Sequence, residues 1–119
     1  MTLQYGDIVI VAGLPDPHGR NPKDRPAIVV TPTDELRAGR PIFVVAITTT
    51  LTSPLPDDYV RLPWSRPRHP RTGLNSRNAA VCHWLAHVEE SKVVRAIGRV
   101  PGRELIAIGD ALHRLAGEA

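Results

Sequence analysis

Ile42-Phe43-Val44-Val45-Ala46-Ile47-Thr48 is an unbroken apolar run that closes on a hydroxyl, and most of its side chains are β-branched. Such side chains suit a pleated surface. An apolar run this short, with no polar interruption, predicts a strand buried on both faces. Two upstream stretches, Asp7-Ile8-Val9-Ile10-Val11-Ala12 and Pro26-Ala27-Ile28-Val29-Val30-Thr31, read the same way. In the second, Pro26 is expected at the first strand position, where a missing N–H is tolerated. Downstream, Asp58–Leu62 alternates like a half-exposed strand. Residues 79–88 and 93–100 are further strands, with room for a short helix near Glu89–Lys92.

The period then changes. Leu105, Ile108, Leu112 and Leu115 fall at helical spacing and give one apolar stripe. Pro101 suits the first turn of this helix and Gly117 its stop. Gly109 in its interior costs about 1 kcal/mol relative to alanine. Burying the four apolar side chains contributes at most about 6–12 kcal/mol, so the helix is expected to pack on the strands.

With 119 residues, the expectation is a single domain over 1–119. Nine of the twelve prolines gather at 15–26, 54–56 and 63–70, which marks loops between short elements and suggests a small barrel or sandwich, mainly β with a C-terminal helix. A lone cysteine, Cys82, excludes an intrachain disulfide and a cysteine-cluster zinc site. No apolar run reaches bilayer length, and the N-terminus lacks the pattern of a secretory signal. A soluble, cytoplasmic chain without metal or cofactor, and without a membrane partner, is expected.

Charge is unevenly spread. From Arg61 to Val88 there is no Asp or Glu but five arginines, Arg61, Arg66, Arg68, Arg71 and Arg77. The whole chain carries only +3, so the remainder is net acidic. Trp64 lies inside the basic segment. Arginines pair with phosphates and an exposed indole stacks on bases, so this segment points to nucleic acid. His69, His83 and His87 lie nearby. They are set aside as a metal cluster: a strand reading places His83 and His87 poorly for joint ligation, and the segment holds no carboxylate.

Two places combine a polar group with a strand end. The loop from Gly13 to Pro26 is long for a hairpin connection, and long loops in compact domains are commonly functional. The other is Thr48-Thr49-Thr50, where Thr48 is the hydroxyl best held by the strand.

Several fragments, taken in order, carry a resemblance. Gly6-Asp7-Ile8-Val9, Arg25-Pro26-Ala27-Ile28-Val29-Val30 and Val45-Ala46-Ile47-Thr48 resemble the first three strands of the MazF/PemK toxins. Thr72-Gly73-Leu74, Ala79-Ala80-Val81 and Ile97-Gly98-Arg99-Val100 continue the match through to the last helix. The resemblance implies a small SH3-like β-barrel, a homodimer, and a toxin of a type II toxin–antitoxin system neutralised by a cognate antitoxin. It further implies metal-independent, sequence-specific cleavage of single-stranded RNA, with Arg25 and Thr48 as the catalytic residues. RNA-binding roles are expected for His18, Arg20, Thr49, Trp64, Arg66, Arg68, Arg71 and Arg77.

The implied chemistry is attack of a ribose 2′-OH on the adjacent phosphorus, leaving 2′,3′-cyclic phosphate and 5′-OH ends. Arg25 supplies donors to the developing phosphoryl charge and Thr48 adds a hydroxyl. A guanidinium is a poor general base, and the imidazole of His18, in the same loop, is the candidate for that role. Two other readings use the same fold. One is a gyrase-directed toxin, against which the non-aromatic end Leu115-Ala116-Gly117-Glu118-Ala119 argues. The other is a catalytically inactive barrel that binds RNA or protein. The sequence departs from the family's pattern in its proline-rich first loop, in the Pro- and Arg-rich Leu62–Arg71 segment, and at Cys82-His83-Trp84-Leu85.

Overall fold

The computed structural model describes residues 2–117, so Met1 and the last two residues of the tail weighed above lie outside it. Six strands form one antiparallel sheet: β1 (Asp7–Leu14), β2 (Lys23–Val29), β3 (Ile42–Thr48), β4 (Tyr59–Arg61), β5 (Ala79–Val88) and β6 (Val93–Arg99). Their spatial order is β4-β5-β3-β2-β1-β6. A short helix α1 (Thr33–Arg37) links β2 to β3, a 3₁₀ turn (Glu90–Lys92) links β5 to β6, and α2 (Gly102–Gly117) ends the described chain. Among the described residues, no helix is long and apolar enough to cross a membrane.

The topology forces the sheet to curl. Three strands stand between β5 and β6, so in a flat sheet their axes would be about 19 Å apart. The link from Val88 to Val93 could reach about 18 Å only if fully extended, yet it contains a 3₁₀ turn closed by Lys92 N donating to the Glu89 carbonyl. The ends of β5 and β6 therefore meet by rolling the sheet. This gives a mainly β, barrel-like fold with a C-terminal helix, as expected.

Each apolar strand feeds two cores, one per face. Ile8, Ile28, Val45, Ile47, Ala80 and Cys82 join Ile108 and Ala111 of α2, with Leu105, Leu112 and Leu115 packed alongside. On the opposite face, Val9, Val11, Ala27, Val29, Val44, Ala46, Val88 and Val93 form the second core. Alternation along the strands sends neighbouring residues to different cores, which explains why these runs contain no polar position.

Three sequence expectations are corrected. β2 begins at Lys23, so Pro26 is its fourth residue rather than its first. Pro26 pairs with Ile10 of β1, while the ladder to β3 starts only at Ala27, so its missing N–H interrupts nothing on that side. Pro101 precedes α2 and caps it from outside, its carbonyl accepting from Leu105 N at 2.9 Å. The helix α1 was not anticipated, being too short to show an apolar period.

The basic segment between β4 and β5 is tied to β6 by close backbone contact. Arg99 N donates to the Arg71 carbonyl at 2.8 Å. Gly73 has φ +75° and a Cβ there would strike the Ile97 carbonyl, while a Cβ on Gly98 would strike the backbone of Arg71 and Thr72. Only glycine fits at either contact. Within the segment, Thr72 is fully buried and donates through Oγ1 to the Pro63 carbonyl at 2.8 Å. The His69 Nδ1 accepts from the amides of Arg71 and Thr72, so this histidine shapes the loop.

Candidate active site on the sheet face

The two candidate catalytic residues lie on neighbouring antiparallel strands, Arg25 on β2 and Thr48 at the end of β3. β2 and β3 pair as Val29 with Val44, Ile28 with Val45 and Ala27 with Ala46. The ladder ends at the Ala27–Ala46 pair; Arg25 lies two residues before Ala27 on β2 and Thr48 two residues after Ala46 on β3. Directly paired residues share a face. On either side of that ladder, Thr48 pairs with Ala79 of β5, Ala79 pairs with Arg61 of β4, and Arg25 pairs with Val11 of β1.

Arg25 is half-buried and held from three directions. Its Nε donates to the Leu14 carbonyl at 2.8 Å and its Nη2 to the Asn21 carbonyl at 2.7 Å. Its Cζ lies 4.9 Å from the centroid of the Trp84 ring, an arrangement worth about 0.5–2 kcal/mol. Thr48 ends β3 half-buried, and its Oγ1 accepts from Thr50 N at 3.1 Å, leaving the hydroxyl hydrogen available to another acceptor.

The proline-rich first loop is ordered by one carboxylate. Asp16 Oδ1 accepts from the amides of His18 and Arg20, each at 2.9 Å, and Oδ2 accepts from Asn21 Nδ2 at 3.2 Å. The Arg20 amide foremost, with those other donors, holds the Asp16 carboxyl below its ordinary range against a smaller opposing effect of desolvation. Asn21 takes φ 51°, a left-handed conformation that asparagine tolerates, and its carbonyl is the one that receives Arg25. His18 and Arg20 are exposed on this loop; their backbones organise it, and among the described residues neither side chain forms a hydrogen bond or ion pair.

The remaining predicted RNA-binding residues are exposed but do not line one groove. Trp64 and Arg77 share a hollow of about 410 Å³ with Arg61, His69, Asn78 and Glu104. Arg66 faces a separate hollow with Pro67, Asn75 and Ser76. Arg68, Arg71 and Thr49 are exposed elsewhere along the loops. The segment that is acid-free in sequence thus receives a carboxylate from α2, Glu104, which one-dimensional charge counting cannot detect.

Two features escaped the sequence reading. The Trp84 ring packs on the second core and lies against Arg25. Arg61 was counted only within the charge of its segment, yet it occupies the same transverse row as Thr48. Strand pairing would have revealed Arg61; nothing local to Trp84 foretells its contact. Cys82 is buried. His83 pairs through Nδ1 with Asp58, and among the described residues no group of three or more His, Cys, Asp or Glu could hold a metal.

Comparison with known proteins adds three observations. Residues 4–116 match the model of a family described as the PemK-like, MazF-like toxin of type II toxin-antitoxin systems. No curated protein matches. Among solved structures, a MazE–MazF complex from Deinococcus radiodurans superposes with TM-score 0.75 at 16% identity, covering 100% of this chain and 99% of that one. The Mycobacterium tuberculosis toxin MazF-mt6 gives 0.70 at 20% identity, over 93% and 96%. An endoribonuclease in complex with its cognate antitoxin, from a mycobacterial species, gives 0.72 at 14% identity, over 98% and 97%. At these identities the likeness is one of fold.

Proposed function

From the premise that the chain belongs to the PemK-like, MazF-like toxin family of type II toxin-antitoxin systems, we propose that it is an endoribonuclease acting on single-stranded RNA through Arg25 and Thr48. The observation that supports this reading is the β2–β3 ladder, whose last pair, Ala27 with Ala46, stands two residues from Arg25 on one strand and two from Thr48 on the other.

The reaction needs little beyond donors and alignment. The 2′-OH attacks the neighbouring phosphorus as the P–O5′ bond breaks; the 2′-oxygen gives up its proton, and the 5′-oxygen leaves and takes one up. Charge on the non-bridging oxygens grows in the transition state, where fixed donors are worth most. The free N–H groups of Arg25 meet that charge, and the Thr48 hydroxyl donates a further bond. Holding the attacking oxygen in line with the leaving oxygen lowers the barrier further. Arg25 serves as donor rather than base, a guanidinium being a poor proton acceptor.

The same reading assigns a homodimer as the working form and a cognate antitoxin as its inhibitor. It is supported by the folds of a MazE–MazF complex and of an endoribonuclease bound to its antitoxin. The test is purified protein, an unstructured RNA and EDTA. Cleavage is expected to leave 5′-OH and 2′,3′-cyclic phosphate ends, to survive the chelator, and to vanish in R25A. An R25A variant of full activity rejects the assignment, as does activity that EDTA removes. RNA binding without any product assigns the chain instead to a non-catalytic binding role.

A further inference from the structure

We propose that Trp84 is a positioning residue for Arg25: its indole fixes the plane of the guanidinium so that the Nη1 edge faces the scissile phosphate. The catalytic consequence rests on the ribonuclease reading. The coupling of the two side chains rests on geometry alone.

Two in-plane hydrogen bonds, from Nε to the Leu14 carbonyl and from Nη2 to the Asn21 carbonyl, set the direction in which the guanidinium points. They leave rotation about their common line free. The Trp84 ring, its centroid 4.9 Å from Cζ, restricts that freedom because it attracts the cation. Of the five N–H donors of an arginine, these contacts use two. Both Nη1 hydrogens and the second Nη2 hydrogen have no protein partner among the described residues. This is the fork that binds a phosphate through two parallel bonds. Among the described residues Arg25 also forms no ion pair, so its charge is not spent on a carboxylate.

Small side chains make the contact possible. Trp84 stands on β5, and β3 separates β5 from β2. The residues paired across β2 and β3 on that face are Ala27 and Ala46, both fully buried. Trp84 packs on the core that contains them. Two methyl groups leave room above the sheet for an indole to reach Arg25, where larger residues would not. The carbonyls that orient Arg25 come from the end of β1 and from the first loop, so the site is assembled from β1, β2, that loop and β5.

The experiment has two arms. In single-turnover and steady-state cleavage of an unstructured RNA, W84L is expected to lose about ten- to a hundredfold in kcat with KM little changed. W84F, which keeps an aromatic face, recovers most of that loss. Wild-type kcat in W84L overturns the proposal. The second arm needs neither RNA nor activity. In a W64F background Trp84 is the sole tryptophan, and adding R25M is expected to shift its emission maximum and intensity. An emission spectrum that R25M leaves unchanged also overturns it. If the wild-type protein cleaves no RNA, the ribonuclease reading fails, and the emission arm still decides whether the two side chains are coupled.

Discussion

Arg61 and Thr48 stand in one transverse row of the sheet, with only the methyl group of Ala79 between them. Two strand spacings put their backbones about 10 Å apart. A cation at that distance from the proposed scissile position suits a flanking phosphate rather than the reacting one. R61A is expected to raise KM several-fold with kcat nearly unchanged, and to lower the slope of log K against log salt by about 0.7. Filter binding at several salt concentrations checks this, and an unchanged slope counts against a phosphate contact.

Thr48→Val keeps the β-branched shape and removes the hydroxyl. Because that oxygen accepts only the exposed Thr50 amide, stability should move by no more than about 0.5 kcal/mol. Cleavage is expected to fall about ten- to a hundredfold, mostly in kcat. A variant with normal kcat would remove Thr48 from the chemistry while leaving Arg25 in place.

Strand β3 ends where its apolar run meets Thr48, and the sequence marks both limits. The start of β2 was misread because Pro26 looks like an opening residue. Whether a proline is tolerated inside a strand depends on which neighbour pairs there, and pairing is a tertiary fact. The pairing of β2 with β3, the strands that carry Arg25 and Thr48, lay within reach, since two consecutive apolar strands commonly join in antiparallel register. Trp84 did not, because its contact runs over a third strand and requires alanine at positions 27 and 46. The hollow at Trp64 was half legible: its arginines are local, but Glu104 arrives from α2.

Burial pushes the Cys82 thiol from its ordinary 9.0 up to about 11, with Asp58 adding to the effect and Arg114 opposing it. The folded chain therefore holds this proton more tightly than the unfolded chain does. The resulting stability is complete below pH 9 and is lost as the pH climbs toward 11. The difference corresponds to about 2–3 kcal/mol. Urea midpoints measured from pH 8 to 11 should fall more steeply for wild type than for C82A, whatever the offset between the two at pH 8. Parallel curves would show that the thiol does not contribute.

Gly73→Ala and Gly98→Ala each place a methyl group inside the backbone of the facing segment. Gly73 also has a left-handed φ of +75°. Each substitution is expected to destabilise by more than about 2 kcal/mol, with G73A the worse of the two. Chemical denaturation measures this, and a loss under about 0.5 kcal/mol would show that the seam can open without cost.

That seam separates what must stay constant from what can vary. Behind it, a buried threonine and two glycines lock the segment to the wall of the fold. Ahead of it, residues 65–70 project as a tip that carries arginines and prolines but shares little of the core. A tip mounted in this way can be lengthened, shortened or recharged while the scaffold behind it folds as before.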